Sequence, residues 1–429
     1  MRTKRLAICI PTFNRAAIIE ETLLRTLEKY QQRDWDLFIY DSSTDNDTRS
    51  IVENYAKKFP GLFYKYIDSS IHSNLKVYTI LQDFSNSKKY EYIWICTDTV
   101  TWSEELLDEI QSNLKLCYDL LIINYRDIEK IGTREFADCN NLFISCAWHM
   151  TYYGASIYRI RTMLQEIPWA YLKERYCIPE RINFSHVAFC FEKICTMSSF
   201  KAKHISFPVE CLRVSPMKRN TVGWRNDAFY IFCICWPSMI MALPDCYKNK
   251  EFVIRQHGIN SGLFLERSLI QFREDGLYTY EIYKKYKKIW KNLTTLPCIK
   301  LKMISLFPSK WIWVLRFREF YKIKRIQKKV AKFAKKYSKI YLYGCGVKAS
   351  GFAHYLEEIN IEFEGFLVTS LGQEKNTFMN KRVRQFEPNI LSDSHVGLIL
   401  ALGEKNTKEV LNIIYNVNKK PVCGIYFDN

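Results

Sequence analysis

What the chain lacks narrows its class first. Its 15 cysteines include no Cys-x-x-Cys pair, which argues against a structural zinc site. Their odd number and scatter argue against a disulfide framework and fit a reducing cytosol. No apolar run reaches the roughly 20 residues that a spanning helix needs. The longest uncharged run, residues 228–244, carries Pro237 near its middle and reads as a buried helix pair. Arg2, Lys4 and Arg5 precede an apolar run as in an export signal, but that run stops at Pro11 and Asn14 without a small-residue cleavage site. The expectation is therefore a cytoplasmic chain with neither leader nor transmembrane segment. Acids are scarce in one place. Residues 281–340 hold 19 Lys and Arg against Glu281 and Glu319, so nearly all of the formal net charge of +18 belongs to that segment. No nucleic-acid-binding motif accompanies the charge, and no nucleic-acid partner is expected.

What is present is a globular composition, 48% hydrophobic and 25% charged over 429 residues, which is enough for two or three domains. Residues 6–10 read as a buried strand. Pro11, having no N–H for a ladder, is expected to end it. Thr12, Asn14 and Arg15 then form a polar turn before a helix over 16–30. The pattern repeats. Strand 36–41 ends in Asp41, and Ser42-Ser43-Thr44-Asp45-Asn46-Asp47-Thr48 caps a helix to about residue 58. A strand over 62–67 precedes a helix over 73–84. Strand 92–96 runs into Thr97-Asp98-Thr99, Trp102-Ser103-Glu104-Glu105 opens a further helix, and 120–124 is a fifth strand. Such alternation predicts an α/β domain with a mainly parallel sheet covered on both faces. The loops at the carboxyl ends of its strands are where open α/β folds bind ligands.

Those loops carry a resemblance. Ile10-Pro11-Thr12-Phe13-Asn14-Arg15 followed by a helix resembles the opening of family 2 glycosyltransferases, nucleotide-sugar enzymes of GT-A fold that mostly invert the anomeric centre. The Asp41-Ser42-Ser43-Thr44-Asp45 turn is similar to the acid-rich turn with which that family holds uracil and ribose. Tyr92-Ile93-Trp94-Ile95-Cys96-Thr97-Asp98-Thr99 stands where the family has its Asp-x-Asp motif, whose carboxylates bind Mn2+ or Mg2+ on the diphosphate; only Asp98 of the pair is present. The resemblance implies nucleotide-sugar binding by Pro11, Thr12, Asn14, Arg15, Asp41, Ser43, Lys76 and Thr97. It implies a metal at Asp98, which would also be catalytic. Inverting transfer needs a base for the acceptor hydroxyl. The family's Asp is missing from the matching helix over 184–189, where His186 is the nearest candidate and Glu180 the second. Trp148, His149, Tyr152 and Tyr153 fall on the acceptor side. Each also has a plainer reading: Asp41 and Asp45 as turn and cap residues, Lys76 on a solvated helix face, His186 as a cap or core partner, and the aromatics as core.

The remainder reads as two further regions, giving domains over 1–207, 208–339 and 340–429. The middle is helical and basic, with aromatics interleaved among lysines at 283–290 and 309–318. It suits either an anionic membrane surface, fitting a lipid-linked acceptor, or a solvated linker. The segment 252–258 resembles one found after the catalytic domain in polysaccharide-assembly members of the family. In the tail, Gly344-Cys345-Gly346-Val347-Lys348-Ala349 follows a strand over 339–343 as in a dinucleotide turn. The second strand ends Val368-Thr369-Ser370 without the acid that holds a ribose. This small Rossmann-like domain resembles the amino-terminal domain of bacterial sugar acyltransferases and is expected to serve structure, regulation or assembly. The expectation is transfer from a nucleotide-sugar, a UDP-sugar first, to a glycan or lipid-linked acceptor in cell-surface polysaccharide or glycoconjugate synthesis, capsule included, with the enzyme peripheral on the inner face of the membrane. The alternatives are a non-catalytic sugar-nucleotide or glycan-binding subunit on a degenerate transferase fold, and an NAD-linked reductase built on the tail. Oligomeric state is left open.

Overall fold

A computed structural model of the protein describes residues 4–124, 132–207, 211–215, 223–308, 313–371, 377–379, 381–402, 407, 410–414 and 423–424. The chain divides into two compact units, Met1–Ser309 and Lys310–Asn429.

In the first unit, strands β1 (Lys4–Thr12), β2 (Asp36–Asp41), β3 (Leu62–Tyr66) and β4 (Tyr90–Ile95) alternate with helices α1 (Ala16–Gln32), α2 (Asp47–Ala56) and α3 (Ser73–Ser85). These strands pair in parallel in the order β3-β2-β1-β4. Then come β5 (Val100–Trp102), α4 (Glu104–Leu114), β6 (Leu120–Ile123), β7 (Arg134–Phe136), α5 (Cys139–Cys146), β8 (Ser156–Arg159), α6 (Ile160–Met163), α7 (Trp169–Tyr176), α8 (Ser185–Thr196), β9 (Ala202–Ile205) and β10 (Leu212–Val214). Four of these strands extend the sheet as β8-β6-β9-β7. Here β4/β8, β6/β8 and β7/β9 are antiparallel and β6/β9 is parallel. β5 and β10 form a separate antiparallel ribbon.

The parallel half forms around β1, β2 and β4, which are apolar on both faces, with β3 as a half-exposed edge. All six residues of β2 are buried, and Leu6 to Ile10 of β1 are at most 2% exposed. Leu6, Ile8 and Ile10 lie in one cluster with Ile19, Leu23 and Leu27 of α1 and Leu106, Leu107 and Ile110 of α4. Ser103 caps α4, its Oγ accepting from Leu106 N at 3.4 Å.

Pro11 does not end β1. It keeps its register with Tyr40 of β2, and the strand continues to Thr12. What stops near it is the ladder to β4, whose last pair is Cys9 with Ile95. The Cys9 carbonyl faces β4, accepting from Cys96 N, while the Thr12 carbonyl faces β2, accepting from Ser42 N. By alternation Pro11 turns toward the β4 side, where no N–H is required. Beyond that point no ladder pair joins β1 to β4, and the Thr12 hydroxyl at the end of β1 meets Asp98 in the loop after β4.

Helices α9 (Ala228–Tyr230), α10 (Trp236–Ala242), α11 (Lys250–Asn260), α12 (Glu266–Glu274), α13 (Tyr280–Lys285), α14 (Trp290–Leu293) and α15 (Cys298–Leu306) complete this unit. Pro237 sits in the first turn of α10, where its missing N–H costs nothing. Gly258 lets α11 touch α14, since a Cβ there would lie 2.0 Å from the Leu293 carbonyl oxygen. The aromatics interleaved at 283–290 are core residues rather than a surface belt. Tyr283, Tyr286 and Trp290 are buried, Trp290 against Phe229, Phe264 and Tyr278, while Lys284, Lys285, Lys287 and Lys288 stay exposed.

The second unit holds α16 (Trp313–Ala334), β11 (Lys339–Tyr343), α17 (Val347–Glu358), β12 (Gly365–Val368), β13 (Thr377–Phe378), β14 (Lys381–Gln385), β15 (Val396–Leu400) and β16 (Cys423–Gly424). The sheet order is β13-β14-β12-β11-β15-β16, parallel except for the β13/β14 hairpin. One apolar cluster covers each face. The carboxyl half of α16 is amphipathic. Val330 and Ala334 are buried in the unit's core, while Lys328, Lys329 and Lys332 are exposed. The aromatic-basic stretch expected over 309–318 lies outside the residues whose side chains are described. The sequence pattern also predicts a helix over 405–415 and a last strand over 422–426, of which only residues 407, 410–414 and 423–424 are among those described. Among the described residues, no helix is long and apolar enough to cross a membrane.

Candidate active site

The loops after β1, β2 and β4 are tied into one cluster by their own polar side chains. Asn14 holds the first to the second. Its N–H donates to Ser43 Oγ at 2.8 Å, and its Oδ1 accepts from Thr44 N at 2.9 Å. Asn14 takes a left-handed backbone, φ 50°, which asparagine tolerates better than most residues. Ser42 N and Oγ both donate to the Thr12 carbonyl, at 3.2 and 3.0 Å. Asp41, fully buried, closes the second loop on itself. Its Oδ1 accepts from Ser43 N (2.9 Å) and Ser43 Oγ (2.5 Å), and its Oδ2 accepts from Tyr64 OH at 3.0 Å. Burial and the adjacent Asp41 push the Tyr64 phenol up to about 12, so it remains a donor.

Asp98 anchors the third loop. The residue is 1% exposed. Its Oδ1 accepts from Arg15 Nη1 at 3.0 Å and Thr97 Oγ1 at 3.4 Å. Its Oδ2 accepts from Arg15 Nη1 at 3.2 Å and Thr12 Oγ1 at 3.1 Å. Its carbonyl accepts from Thr22 Oγ1 at 2.8 Å, which binds the loop to α1. Arg15 is 29% exposed, so the pair presents its cationic side to solvent.

Lys76, from the first turns of α3, supplies a second cation. It is 5% exposed, its Nζ donates to Ser42 Oγ, and it lies 5.3 Å from the Phe13 ring centroid. Burial pushes its pKa down, and Asp41 opposes that shift. Among the described residues no carboxylate oxygen lies within 4.0 Å of its ammonium. The solvated-face reading of Lys76 therefore fails. Asp45 is a turn residue, accepting from Asp47 N at 3.1 Å.

Pro11, Thr12, Asn14, Arg15, Asp41, Ser43, Lys76, Thr97 and Asp98 thus come together. His186 belongs to a neighbouring buried group. It opens α8, is 6% exposed, packs on Tyr153 at 4.7 Å, and its Nε2 lies 3.0 Å from the Met150 carbonyl oxygen. A carbonyl can only accept, so Nε2 carries the proton and Nδ1 keeps its lone pair, buried and without a partner among the described residues. Burial lowers its pKa to about 4, opposed by the Met150 carbonyl. No hydrogen bond among the described residues joins it to the Asp98 cluster. The link is indirect: Tyr153 OH donates to Asn74 Oδ1, and Asn74 stands two residues before Lys76 on α3. Glu180 is exposed. Trp148 and His149 are buried with their rings 3.6 Å apart. Tyr64, Thr22 and Asn74 are not singled out by the sequence. Only strand register and helix facing bring them in, and neither leaves a local motif.

A divalent ion at Asp98 does not fit these side chains. Mn2+ and Mg2+ want several hard oxygen ligands. Both Asp98 oxygens already accept from a guanidinium, and no group of three His, Cys, Asp or Glu suited to a metal occurs among the described residues.

Residues 7–129 match the family model described as Glycosyl transferase family 2, and this part of the chain is a family 2 glycosyltransferase domain. The matched span contains all three loops and Lys76. Among solved structures the chain is similar to S. aureus TarS 1–349, at 13% identity, covering 70% of this chain and 90% of that one, with TM-score 0.42. It is also similar to the mannosyltransferase PcManGT from Pyrobaculum calidifontis, solved in complex with GDP-Man and Mn2+. There the identity is 15%, the coverage 72% of this chain and 88% of that one, and the TM-score 0.37. No curated protein matches the chain.

Proposed function

We propose that this chain transfers a sugar, with inversion, from a nucleoside-diphosphate sugar to a glycan or lipid-linked acceptor. A UDP-sugar is the first candidate donor, and cell-surface polysaccharide or glycoconjugate is the product. The observation that carries this reading is the convergence of Arg15–Asp98 and Asp41–Lys76 at the carboxyl ends of β1, β2 and β4, within the span that matches the family. Asp41 and the Ser43 loop suit a nucleoside, which offers hydroxyl and amide donors. Arg15 and Lys76 suit the diphosphate, whose charge grows as the glycosidic bond breaks. The proposed base is His186, whose Met150 contact leaves Nδ1 to accept a proton from the acceptor hydroxyl. The exposed lysines of α16 support a contact with anionic lipid on the inner face of the membrane.

The test is release of nucleoside diphosphate from a panel of UDP-, GDP- and CMP-sugars. Release from one donor, abolished in Asp98→Ala with the fold retained by circular dichroism, supports transfer. Unchanged release in Asp98→Ala sinks the assignment of this cluster. A binding-only role is favoured by the mismatch at Asp98 and the burial of His186. It predicts tight donor binding without release, even with acceptor extracts present.

A further inference from the structure

Departure of a nucleoside diphosphate requires positive charge on its phosphates. In this chain the carboxylate placed to hold a divalent cation is already engaged. Asp98 is nearly inaccessible, and the accessible partner of the pair is Arg15, 29% exposed against 2% for the Asp98 side chain. Two hydroxyls, from Thr12 and Thr97, fill the remaining acceptor positions of the carboxylate, and Thr22 fixes its backbone. The flanking positions offer no second acid: Thr97 and Thr99 are neutral and lie 3.1 Å apart, hydroxyl to hydroxyl. A metal could reach Asp98 only by displacing a guanidinium that the buried carboxylate needs as its counter-charge. A second cation lies on the other side of β1. The Lys76 ammonium is buried against Ser42 and Phe13 and has no carboxylate oxygen within 4.0 Å among the described residues.

We propose that Arg15, held in place by Asp98, is the resident cation of the donor site, and that the protein engages the diphosphate without a divalent metal. Asp98 is then a positioning residue for the guanidinium rather than a ligand. Lys76 completes a cationic pair across the β1 loop, and both act as fixed charges that need no reorganisation when the leaving group forms. Arginine suits this task because its charge does not titrate and its planar fork matches phosphate oxygens. The inference rests on the proposed reading of this cluster as a nucleotide-sugar site.

The experiment is calorimetric binding of UDP and GDP to the full chain, in EDTA and in MnCl2, for the wild type, Arg15→Met, and the charge-balanced double variant Arg15→Met/Asp98→Asn. The expected result is wild-type affinity for one nucleotide that agrees within about twofold in the two buffers. Arg15→Met should lose about tenfold or more in EDTA, a factor that corresponds to roughly one charge-assisted contact. It should recover in part with Mn2+, because Asp98 is released to take a metal. If Arg15→Met fails to fold with Asp98 left unpaired, the double variant has no buried charge to strand; it should fold and lose affinity equally in both buffers. Wild-type binding abolished by EDTA and restored by Mn2+ overturns the inference while leaving the nucleotide-sugar reading intact. So does undiminished EDTA affinity in either variant. Binding of neither nucleotide in either buffer overturns the nucleotide-sugar reading, and the inference with it.

Discussion

The ammonium of Lys76 donates to the hydroxyl of Ser42, which donates in turn to the carbonyl of Thr12. A helix, a strand end and a turn are thereby joined through one charged group that has no carboxylate within ion-pair distance among the described residues. A buried cation of this kind is unfavourable for folding and useful for binding. Lys76→Met should therefore separate the two. The unfolding midpoint in urea should rise or hold, by up to about 1 kcal/mol, while affinity for a nucleoside diphosphate falls about tenfold. A parallel fall in stability and affinity would show that the lysine is chiefly structural.

Asn14 makes a different separation possible. Its left-handed backbone and its side-chain bond to Thr44 both fix the first loop. Asn14→Gly removes the side-chain bond but relieves the backbone, whereas Asn14→Ala removes the bond and keeps the strained φ. Alanine should cost about 2 kcal/mol in urea unfolding and glycine about 1 kcal/mol less. Both should weaken donor binding, because the Ser43 loop loses its tie. Equal costs would mean that the backbone carries no strain.

Two buried imidazoles set an acid limit on stability. Burial lowers His186 to about 4 and, with His204 nearby, His149 to about 3. Unfolded histidine titrates near 6.5. Both groups are neutral in the fold and take up protons more readily once unfolded. Their contribution is complete above pH 6.5 and is lost as pH falls toward 4 and then 3, to the extent of roughly 3 kcal/mol for His186 and roughly 5 kcal/mol for His149. Neither nitrogen of His149 has a partner among the described residues, so His149→Phe should flatten the pH dependence of the melting temperature over that window. A profile identical to the wild type would contradict the neutral, buried assignment.

The Sγ atoms of Cys195 and Cys246 stand 2.9 Å apart, at the end of α8 and in the chain leaving α10. Two thiols this close should join on treatment with diamide, each giving up a proton and an electron to the oxidant. Non-reducing peptide mass spectrometry should find that pair before any other among the described cysteines. Formation of a different cross-link first would show that the local backbone does not hold the two together.

The donor half of the fold is readable in the sequence because β1, β2 and β4 are apolar on both faces and each runs into a polar loop. Asp41, Asp98 and Asn14 can be found by their place after such strands. The short strands β5, β7, β9 and β10 leave no comparable trace. Arg134–Phe136 and Leu212–Val214 are three residues long, carry arginine, and exist only through pairing with distant segments. The β13/β14 hairpin escaped for the same reason, since Lys381, Arg382 and Arg384 mask a strand of which only Val383 is buried. Pro11 was misread because a missing N–H has no meaning until the facing strand is known. For Lys76 the family resemblance implies a place in the site, while the residues around it in the sequence allow a solvated helix face equally well. The burial of Lys76 follows from Ser42 and Phe13, two side chains separated from it by more than thirty positions.

The strand order β3-β2-β1-β4 uses only residues 4–95, each strand following the last through a single helix, and α3 carries the chain from one edge, past β2 and β1, to the other. The other half of the sheet waits for residues 120–205 before β8, β6, β9 and β7 can pair. During synthesis from the amino terminus, the half that carries every donor-side loop can therefore close on itself while the remainder is still being made. It then stands as the template on which the later strands add, beginning with β8 along the free edge of β4.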